Sequence, residues 1–456
     1  MKHILVTICL ILLLCVDVQA QQGWSVQTNP LGPQGPPTPA LGKIQFVSLT
    51  EGWITADNGE LLHTTNGGTQ WVAVSPGGND TVSFVNNPAV GLSFVSATTG
   101  WAVGTLHGSD SAGQAVLYNT TNGGGTWSRQ LLNTWNFGFG VQFVDANNGW
   151  VSVFRGTSPT NTLGALIHTT DGGTSWTMQY NADWKLPIVS FIDSNNGWAL
   201  TDSLSHSGLS SPCEILRTTN AGVTWTAQFR DTTPGWLEAF QMVDATHGWV
   251  VGDSAKILRT VDGGTHWTPV TNTGNNSDHS AVFFLNDSLG WIGGRPSSNQ
   301  GVPIVLHTTN GGGSWSIQNT STQTEGIFSI YFIDADNGWY TADYGGIAHA
   351  TNAGDPTSVL RTSNSTAPAR FELVQNYPNP FNPTTTIEFA IPIDGRVVLK
   401  VYDLLGREVA ALLDGYRRAG EHQQVTFDAS RLASGIYFYR LQTGHLAITR
   451  RLVLLK

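Results

Sequence analysis

A chain of 456 residues has room for about three domains. Only 12% of it is Asp, Glu, Lys or Arg, against about 25% in ordinary soluble domains, so Thr, Ser, Asn and Gly must cover its surface. Residues 21–356 hold 9 Lys and Arg against 23 Asp and Glu, whereas residues 357–456 hold 12 against 8. An acidic body of this kind excludes nucleic acid, which needs a basic stripe to release phosphate counterions, and excludes adsorption to anionic lipid.

Residues 1–20 read as a signal peptide: Lys2 and His3, an apolar stretch from Ile4 to Val16, then Val18-Gln19-Ala20. The apolar stretch is too short for a bilayer span of ~20 residues, and no later segment is apolar enough to form one. Cys9 and Cys15 leave with the leader, so Cys213 is the sole mature thiol. The fold therefore has no internal disulfide and no Cys-x-x-Cys metal site, and neither cofactor nor metal is expected.

From Trp24 the chain repeats itself. Gly-Trp pairs at Trp53, Trp101, Trp150, Trp198, Trp249, Trp291 and Trp339 recur every ~48 residues, in the range of one propeller blade. An apolar strand precedes each, as in "VQFVDANNGW" and "IYFIDADNGW". A second signature follows each pair: "HTTNGGTQW", "NTTNGGGTW", "HTTDGGTSW", "RTTNAGVTW", "RTVDGGTHW", "HTTNGGGSW", and a seventh, "HATNAGDPT", without its tryptophan. It carries Asn66, Asn122, Asp171, Asn220, Asp262, Asn310 and Asn352, and Trp71, Trp127, Trp176, Trp225, Trp267 and Trp315. The short side-chain oxygen accepts turn N–H groups, Gly supplies a positive φ, and the Trp opens the next strand. This signature resembles the Asp-box of several β-propeller families.

Each unit reads as four short strands, and radial repetition of such units predicts a seven-bladed β-propeller with almost no helix. Blade seven ends at residues 353–356 without a fourth strand. The mature start, "GWSVQ", repeats the "W-S/T-x-Q" that follows the other boxes. Strand 23–28 is therefore expected to close the ring of residues 21–356.

Beyond a polar linker, residues 357–370, the boxes stop and Arg becomes common. Residues 371–456 alternate like strands of a small immunoglobulin-like β-sandwich. The motifs Asn376–Pro383 ("NYPNPFNP", with Pro378, Asn379 and Pro380), Val401–Arg407 ("VYDLLGR", with Tyr402, Asp403 and Gly406), Leu432–Tyr437 ("LASGIY", with Gly435 and Tyr437) and the end at Lys456 resemble the C-terminal sorting domain of type IX (Por) secretion cargo. The resemblance implies export to the periplasm, recognition by the outer-membrane translocon, removal by a sorting peptidase, and a secreted or cell-surface product.

The blades resemble the photosystem II assembly and stability factor family and, more loosely, Asp-box sialidases and xyloglucan-active glycosidases. A glycosidase needs two carboxyl groups at a sugar cleft. The recurring Asp145, Asp193, Asp244 and Asp334 all occupy one kind of turn, which suits capping better than catalysis. His63, His168, His307, Arg217 and Arg259 also recur with the blades, so they do not converge on a site. The tryptophans outside both signatures, Trp135, Trp184 and Trp236, fall in consecutive blade-to-blade connections, with Phe137 and Phe139 beside the first. Long loops of blades two, three, four and six share that end. Aromatic plates edged by Arg155, Asp183, Lys185, Arg230, Asp231 and Glu238 would suit a protein or glycan ligand; the alternative is that the rings fill gaps between blades. The expectation is a binding propeller without catalytic residues, with a glycoside hydrolase as the competing reading.

Overall fold

In a computed structural model of the chain, each Gly-Trp pair opens the second strand of a twisted antiparallel sheet. The described residues are 23–354 and 371–456, less 34, 79–81, 84–90, 108–112, 159–160, 183–187, 202–212, 232, 234, 271–276, 297–302, 321–325, 392–394, 405, 418–419 and 444–445. Residues 1–20 and 357–370, expected to be leader and linker, lie outside them. Seven such sheets form a propeller, as the repeat predicts. Their first strands, defining blades 1 to 7, are Leu41–Phe46, Leu92–Phe94, Phe137–Phe143, Ile188–Phe191, Leu237–Met242, Ser277–Phe284 and Ile327–Phe332. A 3-10 turn at Asp343–Gly345 is the only helix among the described residues. The loop expected in blade 3 is instead a long hairpin, Gly149–Ser158 with Asn161–Thr169, paired out to Ser158 and Asn161.

The repeat exists because one stack of side chains must be rebuilt at every blade junction. In six blades the Phe that ends the first strand, and in blade 5 Met242, lies over the Gly of its own Gly-Trp pair; a Cβ at Gly149 would stand 2.4 Å from the Phe143 ring. That bare backbone lets the ring slide under the tryptophan of the preceding blade. Trp101 on Phe143, Trp150 on Phe191, Trp249 on Phe284, Trp291 on Phe332 and Trp339 on Phe46 all stack at 3.5 Å between centroids. The other face of the tryptophan takes the residue before the box Thr. His63, His168, His307 and His349 stack there, and Arg217 and Arg259 lie over Trp198 and Trp249. The recurring histidines and arginines are therefore layers of the junction.

Indole N–H groups tie the same junctions. Trp101, Trp150, Trp198, Trp249, Trp291 and Trp339 donate to carbonyls of Gly172, Ala221, Gly263, Gly311, Ala353 and Gly67, each in the box turn of the following blade. Within the turns the Asn or Asp oxygen accepts the N–H four residues on, as expected (Gln70 to Asn66, 2.8 Å; Ser175 to Asp171, 2.9 Å). The sequence reading gave the preceding threonine no role, yet it is the turn's centre. Thr64 Oγ1 donates to Asn66 and accepts the Gly68 N–H, and the same trio recurs at Thr169, Asp171 and Gly173. Two adjacent glycines, Gly67 and Gly68, hold φ of 71° and 86°.

Strand Trp24–Val26 pairs antiparallel with Gly346–Ala350 and supplies the fourth strand of blade 7. Trp24 meets Phe332 edge-on at 5.7 Å, as Trp71 meets Phe46 at 5.9 Å and Trp176 meets Phe143 at 6.3 Å. Trp24 thus fills the box-Trp position of the last blade.

In three blades the glutamine of "W-S/T-x-Q" reaches the tryptophan of the next blade as a latch. Gln318 accepts from the Trp24 indole (3.0 Å) and donates to Ala353 O; Gln27 does the same for Trp71 (3.0 Å) and Gly67 O. Where Val74 and Val270 stand in that position, the Trp127 and Trp315 indole N–H groups are buried without a partner among the described residues; those of Trp225 and Trp267 are too, although Gln179 and Gln228 precede them, and Gln179 turns to Thr177 instead. Val270→Gln is expected to stabilise the protein by about 1 kcal/mol by completing the latch to Trp315. A denaturant midpoint unmoved or lowered at constant m-value contradicts that role for the glutamine.

Residues 371–456 form two sheets: Glu372–Leu373, Thr384–Ile391 and Gly420–Asp428 in one, and Glu408–Arg417, Gly395–Tyr402, Gly435–Thr443 and Leu446–Leu454 in the other. Phe381, Ile387, Phe389, Val397, Leu399, Tyr439 and Leu441 fill the space between them.

Candidate functional site

Strand direction places the box turns at one end of the propeller and the blade-to-blade connections at the other. The aromatic candidates stand at the connection end, in two patches. In the first, Trp135 lies between blades 2 and 3. Its carbonyl accepts from Ala115 N, and the next residue is a staple: Asn136 N donates to Phe154 O, its Nδ2 to Gly113 O, and its Oδ1 accepts from Gly156 N. The Arg155 guanidinium lies 5.8 Å over the Trp135 ring. Phe137, Phe139 and Phe154 cluster beside it, with centroids 5.8 to 6.4 Å apart. Trp135 is half-buried against the core of blades 2 and 3, so part of its surface does fill a junction.

The second patch is the connection between blades 4 and 5, where Trp236 is 38% exposed. Its backbone is fixed on both sides: Trp236 N donates to Asp253 Oδ2 (3.1 Å), and Asp253 N donates to Trp236 O (2.9 Å). The half-buried Lys256 ammonium donates to Asp231 Oδ2 (2.9 Å), Thr233 O and Gly235 O. An exposed indole on so tethered a connection loses little entropy when a ligand covers it.

Other polar candidates have different duties. Asp231, read as a ligand contact, is an internal tether for Lys256 and Thr233. Its carboxyl is held below the usual range: burial pushes it up, and the Thr233 and Lys256 contacts pull it down further. Arg230 is exposed and pairs across the sheet with Glu214 at 3.7 Å. Glu238 lines the propeller axis. Asp183, Trp184 and Lys185 lie outside the described residues. Asn136 and Phe154 were missed, and no repeat or spacing marks either.

In the C-terminal domain the motifs hold the last strand. Buried Asn376 donates from Nδ2 to Thr385 Oγ1 (2.9 Å) and Pro378 O (3.1 Å), and its N–H donates to the Tyr439 hydroxyl (2.8 Å). Asn379 Oδ1 accepts from Val453 N (2.9 Å), and Phe381 bonds the backbone of Val453 and Leu455. The turn before Arg407 is closed by Asp403, which accepts from Arg407 N and Nε, and by Gly406 at φ 76°. Lys456 Nζ donates to Ser430 O and Tyr437 Oη to Ala433 O. Tyr377, 81% exposed, and Leu404, 67% exposed, are apolar side chains that these loops leave in solvent.

Residues 375–455 match the profile of the secretion system C-terminal sorting domain, and residues 236–362 match that of photosynthesis system II assembly factor YCF48. The chain joins an assembly-factor-like propeller to a secretion sorting domain. A curated relative, the photosystem II assembly lipoprotein Ycf48 of Synechococcus sp. (strain CC9902), is 27% identical over 111 residues, which are 24% of this chain and 31% of that protein. The match thus spans about a third of the relative's own length. A solved YCF48 bound to D1 peptide superposes with a TM-score of 0.53 at 18% identity, over 72% of this chain and 97% of the other. The GH74 xyloglucanase of Xanthomonas campestris gives 0.56 at 11% identity, over 94% and 74%. At these identities the superpositions speak for the fold alone.

The carboxylates of the assembly-factor-like propeller that recur by blade are turn caps. Asp145, Asp193, Asp244 and Asp334 each accept the N–H groups two and three residues on, at 2.6 to 2.9 Å. For Asp145, Asp193 and Asp244 burial raises the carboxyl's pKa, but these hydrogen bonds lower it by more. All three are thus held ionised, unlike a general acid. In the boxes, Ser175 holds the Asp171 carboxyl at about 2 and His266 does the same for Asp262. Among the described residues no group of three His, Cys, Asp or Glu could hold a metal ion, and no helix is long and apolar enough to cross a membrane.

Proposed function

We propose that this is an exported propeller that does no chemistry and recognises a segment of another protein through its connection end. Residues 371–456 address it to the type IX translocon and its sorting peptidase for display at the cell surface or release. The observation that carries the reading is Trp236, an exposed indole on a connection pinned by Asp253 and Lys256. Trp135 with Arg155, beside three phenylalanines, offers a second platform at the same end. The likeness to a propeller solved with a bound peptide supports the choice of ligand class. The photosystem role of the relatives does not carry over to a chain with a secretion address.

Protein and glycan arrays probed with the full-length protein test the reading. Trp236→Ala is expected to cost less than about 1 kcal/mol of stability, since much of the ring is already wet, yet to weaken the captured ligand at least tenfold. Trp135→Ala should cost more stability, about 2 kcal/mol, because half of its ring is packed. Retained binding in both variants would refute the connection end as the site. A glycoside hydrolase is the second reading, favoured by the superposition on the xyloglucanase. Weighing against it, the recurring acids are committed to their turns. Xyloglucan treated with the purified protein should release no oligosaccharide.

A further inference from the structure

The first strands of all seven blades converge on an axial cavity of about 420 Å³. Most of its polar side chains are occupied. Gln45, Gln142 and Gln241 each clamp both backbone groups of a residue in the next blade, Phe94, Phe191 and Phe284. Ser93, Ser190 and Ser329 accept backbone N–H groups of neighbouring first strands, and the Tyr331 hydroxyl donates to Phe46 O. Lys43 is the exception. Among the described residues, no hydrogen bond or ion pair engages its ammonium.

Its position departs from the regular strand. The first strand of blade 1 shifts register between Leu41 and Ile44, where Lys43 stands. The same shift places Glu238 in blade 5 and Phe328 in blade 7, and all three line the cavity. A bulge re-aims a side chain that regular pairing would direct elsewhere. These bulges open the first strands, so the three side chains sit towards the connection end. Lys43 is half-buried, with enough protein around its ammonium that desolvation pulls its pKa down to about 8, and a charge without a protein partner in such a place carries a cost. An anion beside it removes that cost. The cavity volume is that of a small-molecule site, and Val189, Val282 and Phe328 give it apolar wall. Lys43 is the single cation among its lining residues, and Glu238 opposes a second negative charge.

We propose that the axial cavity binds an apolar monocarboxylate, its carboxylate against the Lys43 ammonium and its tail along Val189, Val282 and Phe328. This site is separate from the aromatic patches and stands or falls independently of them.

Calorimetric titration of the full-length protein with hexanoate and benzoate, and with the corresponding amides, tests it. At least one acid should bind one-to-one at pH 7, with its amide at least tenfold weaker. Lys43→Met should lose tenfold or more in affinity while melting no lower than the natural protein, since it removes a half-buried charge without a protein partner. Affinity should fall between pH 7 and pH 9.5 as the ammonium gives up its proton. The other titratable lining groups are Glu238 and Tyr331, and burial pushes the Tyr331 phenol up to about 12, so it stays neutral throughout. Lys43→Arg, whose charge survives at pH 9.5, should bind and lose that pH dependence, which keeps the test open if Lys43→Met fails to fold. Neither acid binding, equal affinity for acid and amide, undiminished binding by Lys43→Met, or a pH fall that persists in Lys43→Arg would each overturn the assignment.

Discussion

Trp24→Ala should lower the melting temperature by on the order of 10 °C. The side chain is 1% exposed, packs edge-on against Phe332 and close to Tyr340, and donates to Gln318. Removing a buried tryptophan costs about 3–5 kcal/mol, and in a large domain each kcal/mol is worth about 2–4 °C. Deleting residues 23–28 should do more, because it also strips Gly346–Ala350 of its partner and bares a sheet edge that invites association. Val26→Ser is the control: this side chain of the same strand is 48% exposed, and its replacement should move stability by less than about 0.5 kcal/mol. Differential scanning calorimetry on the three proteins decides. If Trp24→Ala melts like Val26→Ser, the ring is held together without that strand.

Cells making the chain without residues 371–456 should keep essentially all of it in the periplasm, where immunoblots of separated fractions would find it. A milder lesion should act in the same direction. Asn376→Ala deletes two buried side-chain bonds, to Thr385 and Pro378, and loosens the loop that caps Tyr439. A loss of ~2 kcal/mol there is a sizeable part of what holds a domain of this size together, and corresponds to on the order of 10 °C. Export should therefore fall steeply on warming. Equal amounts of truncated and complete protein in the medium would mean that this domain is not the address.

What could be read in advance was whatever every blade must repeat. The Gly-Trp pair and the box recur because each junction needs the same stacked rings and the same tight turn, and a periodic demand leaves a periodic text. Partners that face across a junction were not legible. The phenylalanine beneath the preceding blade's tryptophan, the indole reaching the next box and the Gln27 latch each join residues of neighbouring blades. Single departures were harder still. Lys43 and Glu238 owe their position to bulges, Asn136 to one connection, and neither bulge nor staple has a signature that spacing can reveal. The aromatic candidates were found because they stood outside the repeat, but composition could not tell half-packed Trp135 from open Trp236.

The last box turn ends at Gly354, packed beside Trp24, so beginning and end of the body meet at one rim. That rim lies at the turn end of blade 7, opposite Trp135 and Trp236. A molecule held through the chain that follows Gly354 would therefore be held at its turn end, leaving the end that carries Trp135 and Trp236 clear of that point.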